Sequence, residues 1–248
     1  MKGVVLAGGL GSRLFPLTKV TNKHLLPVFD RPMIYYPLEC LRNAGVRDVM
    51  LVTGGTSAGD FMRLLGDGRS IGLNSISYAY QEGERGIADA LRLAAPFAGR
   101  DSIAVVLGDN IIEGNVAAAA EAFRKQGGGA RILLKNVPDP ERFGVAVLDG
   151  GRITAIEEKP KSPKSNFAVI GIYFYDATVF EFIHSLKPSS RGEFEITDVN
   201  NAYLQRGELH YDKIDGWWTD AGTFESLLRA NNLVAKTGAN KLEGPYSS

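Results

Sequence analysis

The sequence predicts an α/β protein: a three-layer arrangement around a mixed, mainly parallel sheet, followed by a smaller α+β portion. Three observations predict it. Short unbroken apolar runs alternate with helical patterns through the first half of the chain, as in parallel sheets covered on both faces. The first of these runs opens directly into glycines, which let a strand turn tightly. Beyond about residue 136 the alternation gives way to strand–turn–strand signals.

In order, Val4-Val5-Leu6-Ala7 is a strand covered on both faces, closed by Gly8-Gly9. Met33, Ile34, Leu38, Leu41 and Ala44 recur at helical spacing after Pro32, with Gly45 as the stop. Asp48 to Thr53 is the second strand, and Phe61 to Leu65 a short helix closed by Gly66. Ser75 to Tyr80 alternates as a strand does, and Ile87 to Phe97 reads as a helix. Ser102 to Leu107 is a third covered strand ending at Gly108-Asp109-Asn110. Val116 to Lys125 is an alanine-rich helix stopped by Gly127-Gly128-Gly129. Then Gly144 to Leu148 and Arg152 to Glu158 flank Asp149-Gly150-Gly151, a hairpin turn. Phe167 to Tyr175 is a long strand, followed by helices at 176–186 and 195–206, a strand at 208–214 and a helix from 223. With no Pro- or Ser-rich linker, the expectation is one domain over 1–248 with a cleft between its halves, about 1–136 and 137–248.

Twenty-eight Lys+Arg balance 28 Asp+Glu, so the formal net charge is zero, which argues against a dedicated nucleic-acid binder. No run of about 18 apolar residues occurs, and the apolar stretch before Gly8 is too short for a signal-peptide core. The expectation is a soluble, cytoplasmic protein. Cys40, the one cysteine, lies on the helical pattern and reads as a core residue; it can make no intramolecular disulfide and supplies no zinc set.

The chemistry-bearing stretches begin with Leu6-Ala7-Gly8-Gly9-Leu10-Gly11-Ser12-Arg13. Its glycines can aim bare N–H groups at an anion, and Arg13 adds a forked donor suited to phosphate. A plain strand-to-helix loop would also use glycines. The string is neither G-x-G-x-x-G/A nor G-x-x-x-x-G-K-[ST], which excludes a dinucleotide fingerprint and a P-loop. Lys23 follows ten residues after Arg13 between Pro16 and Pro27, where it is either a second phosphate cation or a surface lysine. His24, its neighbour, reads as structural. Asp109 follows an apolar strand, and an acid at a strand's carboxyl end is well placed to hold Mg²⁺. Asp220 is either a second metal carboxylate or a helix N-cap. Glu158 and Lys159 are strand neighbours, so they face one cleft only where the strand ends or bends, as Pro160 allows.

Together these strings resemble the sugar-1-phosphate nucleotidylyltransferases, nearest the short-form glucose-1-phosphate thymidylyltransferase branch. The likeness includes Lys23-x-Leu25-Leu26-Pro27-Val28, Leu65-Gly66-Asp67-Gly68, Leu107-Gly108-Asp109-Asn110-Ile111 and Asp139-Pro140-Glu141-Arg142-Phe143-Gly144-Val145. It continues through Glu157-Glu158-Lys159-Pro160, Arg191-Gly192-Glu193, Glu195-Ile196-Thr197-Asp198 and Asp220-Ala221-Gly222-Thr223. The resemblance implies a Rossmann-like fold of the nucleotide-diphospho-sugar transferase type. It implies transfer of dTMP from dTTP to glucose 1-phosphate with Mg²⁺, a first step toward dTDP-deoxysugars such as dTDP-rhamnose, in a homo-oligomer (dimer or tetramer) without nucleic-acid or membrane partners. UTP or another sugar 1-phosphate is the alternative substrate.

By that resemblance, Leu6, Ala7, Gly8, Gly9, Gly11 and Ser12 would cradle the nucleotide, with Arg13 and Lys23 on its phosphates and Asp109 beside them. Gln81 and Gly86 would read the base, since an amide both gives and accepts hydrogen bonds. Asn110, Gly144, Glu158, Lys159, Val169, Tyr173 and Arg191 would hold the sugar phosphate, and Asp109 and Asp220 the metal. Arg13, Lys23 and Lys159 would be the catalytic cations. The chain departs from the commoner pattern at Phe143 (frequently Tyr), Ile170 (frequently Thr), and Arg85 and Asp89 (elsewhere Asp and Gln).

Overall fold

The structure is a computed structural model and describes residues 1–241 of the 248. Among these, the first half runs β1 (Lys2–Ala7), a small hairpin of β2 (Pro27–Val28) and β3 (Arg31–Pro32), α1 (Tyr35–Asn43), β4 (Asp48–Gly54), α2 (Ala58–Leu65), β5 (Ser75–Gln81), α3 (Ile87–Arg92), α4 (Ala95–Ala98), β6 (Ile103–Leu107), β7 (Asn110–Ile112) and α5 (Ala117–Gln126). The second half runs β8 (Ala130–Asn136), β9 (Gly144–Asp149), β10 (Arg152–Glu158), β11 (Phe167–Tyr175), α6 (Val179–Ser185), α7 (Ile196–Gln205), β12 (Leu209–Lys213), β13 (Trp218–Asp220) and α8 (Phe224–Thr237). The predicted helix over 87–97 is two helices, divided before Pro96.

One mixed sheet joins both halves. Its parallel part is ordered β6-β1-β4-β5, and the long β11 adds to β6 antiparallel. β11 then pairs with β8 along one edge and with β9 near its start, and β10 and β12 complete the sheet. β1 shows why its sequence is unbroken and apolar. Val5 and Ala7 join the core cluster under α1, α2 and α5, while Val4 and Leu6 join the cluster under α3, α6 and α7. Alternate side chains of a strand point to opposite faces, so a strand between two helical layers must be apolar throughout. Cys40 is buried in the first cluster, and burial pushes its thiol up to about 12, so it is a packing residue.

A third, smaller cluster sets α8 against the β2 hairpin and β7, with Ala230 and Val234 packing on Val28, Tyr36 and Ile111. α8 is capped by Thr223, whose hydroxyl accepts from the Ser226 N–H while the Ser226 side chain accepts from the Thr223 N–H. Asp220 is therefore not the cap; it ends β13, opposite Asn110 of β7. Among the described residues, no helix is long and apolar enough to cross a membrane.

Candidate active site

The carboxyl ends of β1, β5 and β6 open on one side of the sheet, where ligands of open α/β sheets bind. A cleft of about 420 Å³ lies there, walled on its far side by β9, β10, β11 and the start of α7. The turn after β1 is packed from two directions. A Cβ on Gly54 would stand 2.5 Å from the Gly8 carbonyl oxygen, and one on Gly8 would stand 2.6 Å from Gln81 Oε1. Gly8 is thus what lets the Gln81 amide reach over the turn. If the turn holds a nucleotide, as the sequence resemblance implies, Gly8→Ala is expected to raise the KM for it about tenfold while the fold survives, since one methyl displaces one side chain; steady-state kinetics with circular dichroism would check it.

Asn22 holds the loop that follows. Its Nδ2 points to the carbonyls of Ala7 and Gly9 (3.4 and 3.5 Å), and its Oδ1 accepts from the His24 N–H (2.9 Å). His24 Nδ1 lies 2.7 Å from the same oxygen and so carries the ring proton. Burial, reinforced by the Lys23 charge, pushes His24 down to about 3. The ring is neutral and buttresses Gly108, as its structural reading requires.

The same loop delivers Lys23 into the cleft, so it is no ordinary surface lysine. Its Nζ sits 2.6 Å from Asp109 Oδ2, and both side chains are nearly buried, 12% and 14% exposed. Burial works against ionised Asp109, but the Lys23 charge and hydrogen bonds from Lys23 and Asn110 prevail and hold it well below the usual carboxylate range. Asn110 is fixed in turn: Gly171 N–H (2.9 Å) and Trp218 Nε1–H (2.7 Å) both donate to its Oδ1, which aims its NH₂ at Asp109 (3.0 Å). Across the β7–β13 pair, burial and then the charge of Asp109 raise Asp220 above its ordinary range, against Arg142, Arg13 and Arg229. Arg142 Nη2 lies 3.1 Å from Asp220 and Nη1 2.7 Å from Asp139, with the guanidinium over the Phe143 ring.

On the opposite wall, Lys159 adopts φ 43°, a left-handed conformation unusual for a non-glycine residue. This is the bend that brings Glu158 and Lys159 to one cleft. Glu158 Oε2 accepts from the Thr197 hydroxyl (2.5 Å), and Glu158 Oε1 lies 3.4 Å from Arg191 Nη2 and 3.9 Å from Lys159 Nζ. Val169 and Tyr173 enter beside them because they lie four residues apart on β11 and so share the strand face that turns to the cleft. Burial, aided by Glu158, raises the Tyr173 phenol, so it stays neutral.

Of the residues singled out in the sequence, Leu6, Gly8, Gly9, Arg13, Lys23, Gln81, Gly86, Asp109, Asn110, Gly144, Glu158, Lys159, Val169, Tyr173 and Asp220 line this cleft. Ala7 is buried behind it, and Gly11 and Ser12 do not line it. Arg191 also stays off the lining, engaged by both oxygens of Glu195 at 2.9 Å. The cleft adds Glu84, His24, Arg142, Thr197, Glu193, Glu195 and Trp218. Arg142 and Thr197 lie inside strings that the sequence displays, and Trp218 precedes Asp220 by two, which puts both on one strand face. Glu84 carries no such signal; its Oε1 accepts from the Leu10 N–H at 2.7 Å, at the glycine turn.

Among the described residues no cluster of three or more His, Cys, Asp or Glu could hold a metal ion. Asp109 and Asp220 offer oxygen donors only, and their mutual repulsion is what a divalent cation between them would relieve. Mg²⁺ accepts such a set, because it binds one or two carboxylates and completes its shell with phosphate oxygens and water.

Residues 2–237 match the nucleotidyl transferase family model. Glucose-1-phosphate thymidylyltransferases of Mycolicibacterium smegmatis and Mycobacterium tuberculosis are 47% and 48% identical over 238 residues, 94% of this chain and 82% of theirs. Among solved structures, a Bacillus anthracis protein assigned as a glucose-1-phosphate thymidylyltransferase, in complex with a sucrose, superposes with TM-score 0.91 at 53% identity, covering 95% of this chain and 96% of that one. A UDP-glucose pyrophosphorylase complexed with UDP-glucose gives TM-score 0.82 at 27% identity, over 95% and 98%.

Proposed function

The chain belongs to the glucose-1-phosphate thymidylyltransferases of the nucleotidyl transferase family, and on that premise we propose that it transfers dTMP from dTTP to α-D-glucose 1-phosphate. A phosphate oxygen of the sugar phosphate attacks the α-phosphorus in line; the bond to the β-phosphate breaks, leaving dTDP-glucose and pyrophosphate. The observation that carries this reading is the cleft itself, with cations and two aspartates at the strand ends facing a wall of Glu158, Thr197 and Lys159. The nucleophile is already an anion near neutral pH, so the site needs no general base. Neutral, buttressing His24 accords with that.

Arg13 and Lys23 bind and orient the nucleotide phosphates, and Lys159 the sugar phosphate, with Glu158 accepting from sugar hydroxyls. Asp109 and Asp220 would hold Mg²⁺, which when bound neutralises charge on the phosphate oxygens. The product suits dTDP-deoxysugar synthesis, and a homo-oligomer in the cytoplasm is the setting we propose. Pyrophosphate release measured for a matrix of nucleoside triphosphates against sugar 1-phosphates tests the pair directly. The highest kcat/KM is expected for dTTP with glucose 1-phosphate. UTP is expected to work substantially, because a single methyl is worth only about 1–3 kcal/mol. Near-total rejection of UTP would overturn that expectation, and no activity with any thymidine or uridine pair would overturn the function.

A further inference from the structure

The Gln81 amide is not free to present either end to a ligand. Its Nε2 lies 3.2 Å from Asp89 Oδ2 and 3.4 Å from the Gly86 carbonyl oxygen. A carboxylate and a carbonyl only accept, so the nitrogen must face them. The oxygen is the end left at the cleft, beside Gly8. Asp89 is only 6% exposed, and its second oxygen accepts from Arg92 Nη2 at 3.1 Å. Gly86 is held as firmly: its φ is +99°, and a Cβ there would stand 2.6 Å from the Phe194 carbonyl oxygen.

We propose that Asp89 is a specificity-determining positioning residue, which locks the Gln81 amide so that an oxygen acceptor meets the nucleobase. The inference rests on the cleft being the thymidylyl-transfer site. Thymine and uracil offer an N–H between two carbonyls, which such an acceptor satisfies. Cytosine presents a ring nitrogen that is itself an acceptor, so two lone pairs would meet and neither would be paired. A glutamine at this position, which the resembling family frequently carries, could turn together with Gln81; a carboxylate cannot.

Asp89→Asn inverts the chain of donors. Arg92 only donates, so the oxygen of the introduced amide would face it and the NH₂ would meet Gln81. Against the longer 3.4 Å contact with the Gly86 carbonyl, this reverses the shorter of the two bonds that hold Nε2, and in part of the molecules the Gln81 amide turns to bring Nε2 to the cleft. The test is kcat/KM for dTTP and dCTP, each with glucose 1-phosphate, in wild type and in Asp89→Asn. Wild type is expected to prefer dTTP at least a hundredfold. In the variant the ratio is expected to fall at least tenfold, with the dCTP value rising in absolute terms. Asp89→Ser, which removes the carboxylate without adding an amide, is expected to lower the ratio less and serves where Asp89→Asn does not fold. An unchanged ratio, or dTTP and dCTP values falling in parallel, would leave Asp89 a structural residue and overturn the proposal. A wild type indifferent to dTTP and dCTP would instead overturn the reading of Gln81 as the base-contacting residue, whatever the variants do.

Discussion

Asp109→Asn is expected to lower kcat by about a thousandfold at saturating Mg²⁺, dTTP and glucose 1-phosphate, the scale of losing one preorganised charge in a catalytic site. The sequence places this acid at the end of β6, and the fold surrounds it with Lys23, Asn110 and the facing Asp220. Asparagine keeps the shape and removes the charge. Lys23 then stays largely buried beside a neutral amide, so the variant also loses stability, toward the roughly 3–5 kcal/mol seen when one member of a buried pair is removed. Two measurements separate the effects. Thermal unfolding reports the stability loss, and Mg²⁺ titration of the folded variant reports the metal set. Acidification adds a third: Asp109 sits below its ordinary 3.8 in the folded chain, so its stabilisation is full above that value and is lost as pH falls below it. The wild type should therefore lose stability more steeply than Asp109→Asn at the acid end. Full turnover in the variant would sink both the metal assignment and the catalytic one.

The net charge of zero acquires a local meaning in this cleft. Lys23 lies on Asp109, Arg142 on Asp220, and Lys159 near Glu158. Each of these cations, which a polyanionic substrate would use, is already paired with a carboxylate of the chain. Phosphates must compete for them, and a divalent ion that binds Asp109 and Asp220 would help release Lys23 and Arg142. A sequence total of 28 against 28 thus reflects, in part, pairing at the site itself.

What the sequence makes legible is local. The β1 strand, its glycine turn, and Asp109 at the end of β6 follow from apolar runs and the residues that stop them. β8 is not legible, because Gly127-Gly128-Gly129 reads as a stop and Ile132-Leu133-Leu134 is too short a run to announce a strand. The strands β7 and β13 have three residues each and exist because they pair across more than a hundred residues. Local propensity cannot report such a pairing. Arg142 illustrates the same limit at the site: its contact with Asp220 depends on that pairing, so its role emerges only from the fold. Gln81 differs. Its residue type suggests a group that both gives and accepts, and the fold takes the giving half for Asp89 and Gly86.

Arg13 is the cation for which activity and stability should separate cleanly. It is exposed, and among the described residues it makes no ion pair, yet its guanidinium lies 3.3 Å from where a Gly222 Cβ would stand, next to Asp109 and Asp220. Removing it leaves no buried charge behind, in contrast to Asp109→Asn. Arg13→Ala is therefore expected to lower kcat/KM for the nucleotide by about a thousandfold, at the low end of what one arginine on a transferring phosphoryl group contributes, with an unchanged thermal midpoint. Arg13→Lys should recover only part of the loss, because an ammonium restores the charge but not the planar fork that takes two phosphate oxygens at once. Pyrophosphate-release kinetics on the two variants, beside their melting curves, decide it. If Arg13→Ala keeps wild-type kcat/KM, the glycine turn and Lys23 hold the phosphates without it. If its melting temperature drops sharply, Arg13 serves the fold and not the ligand.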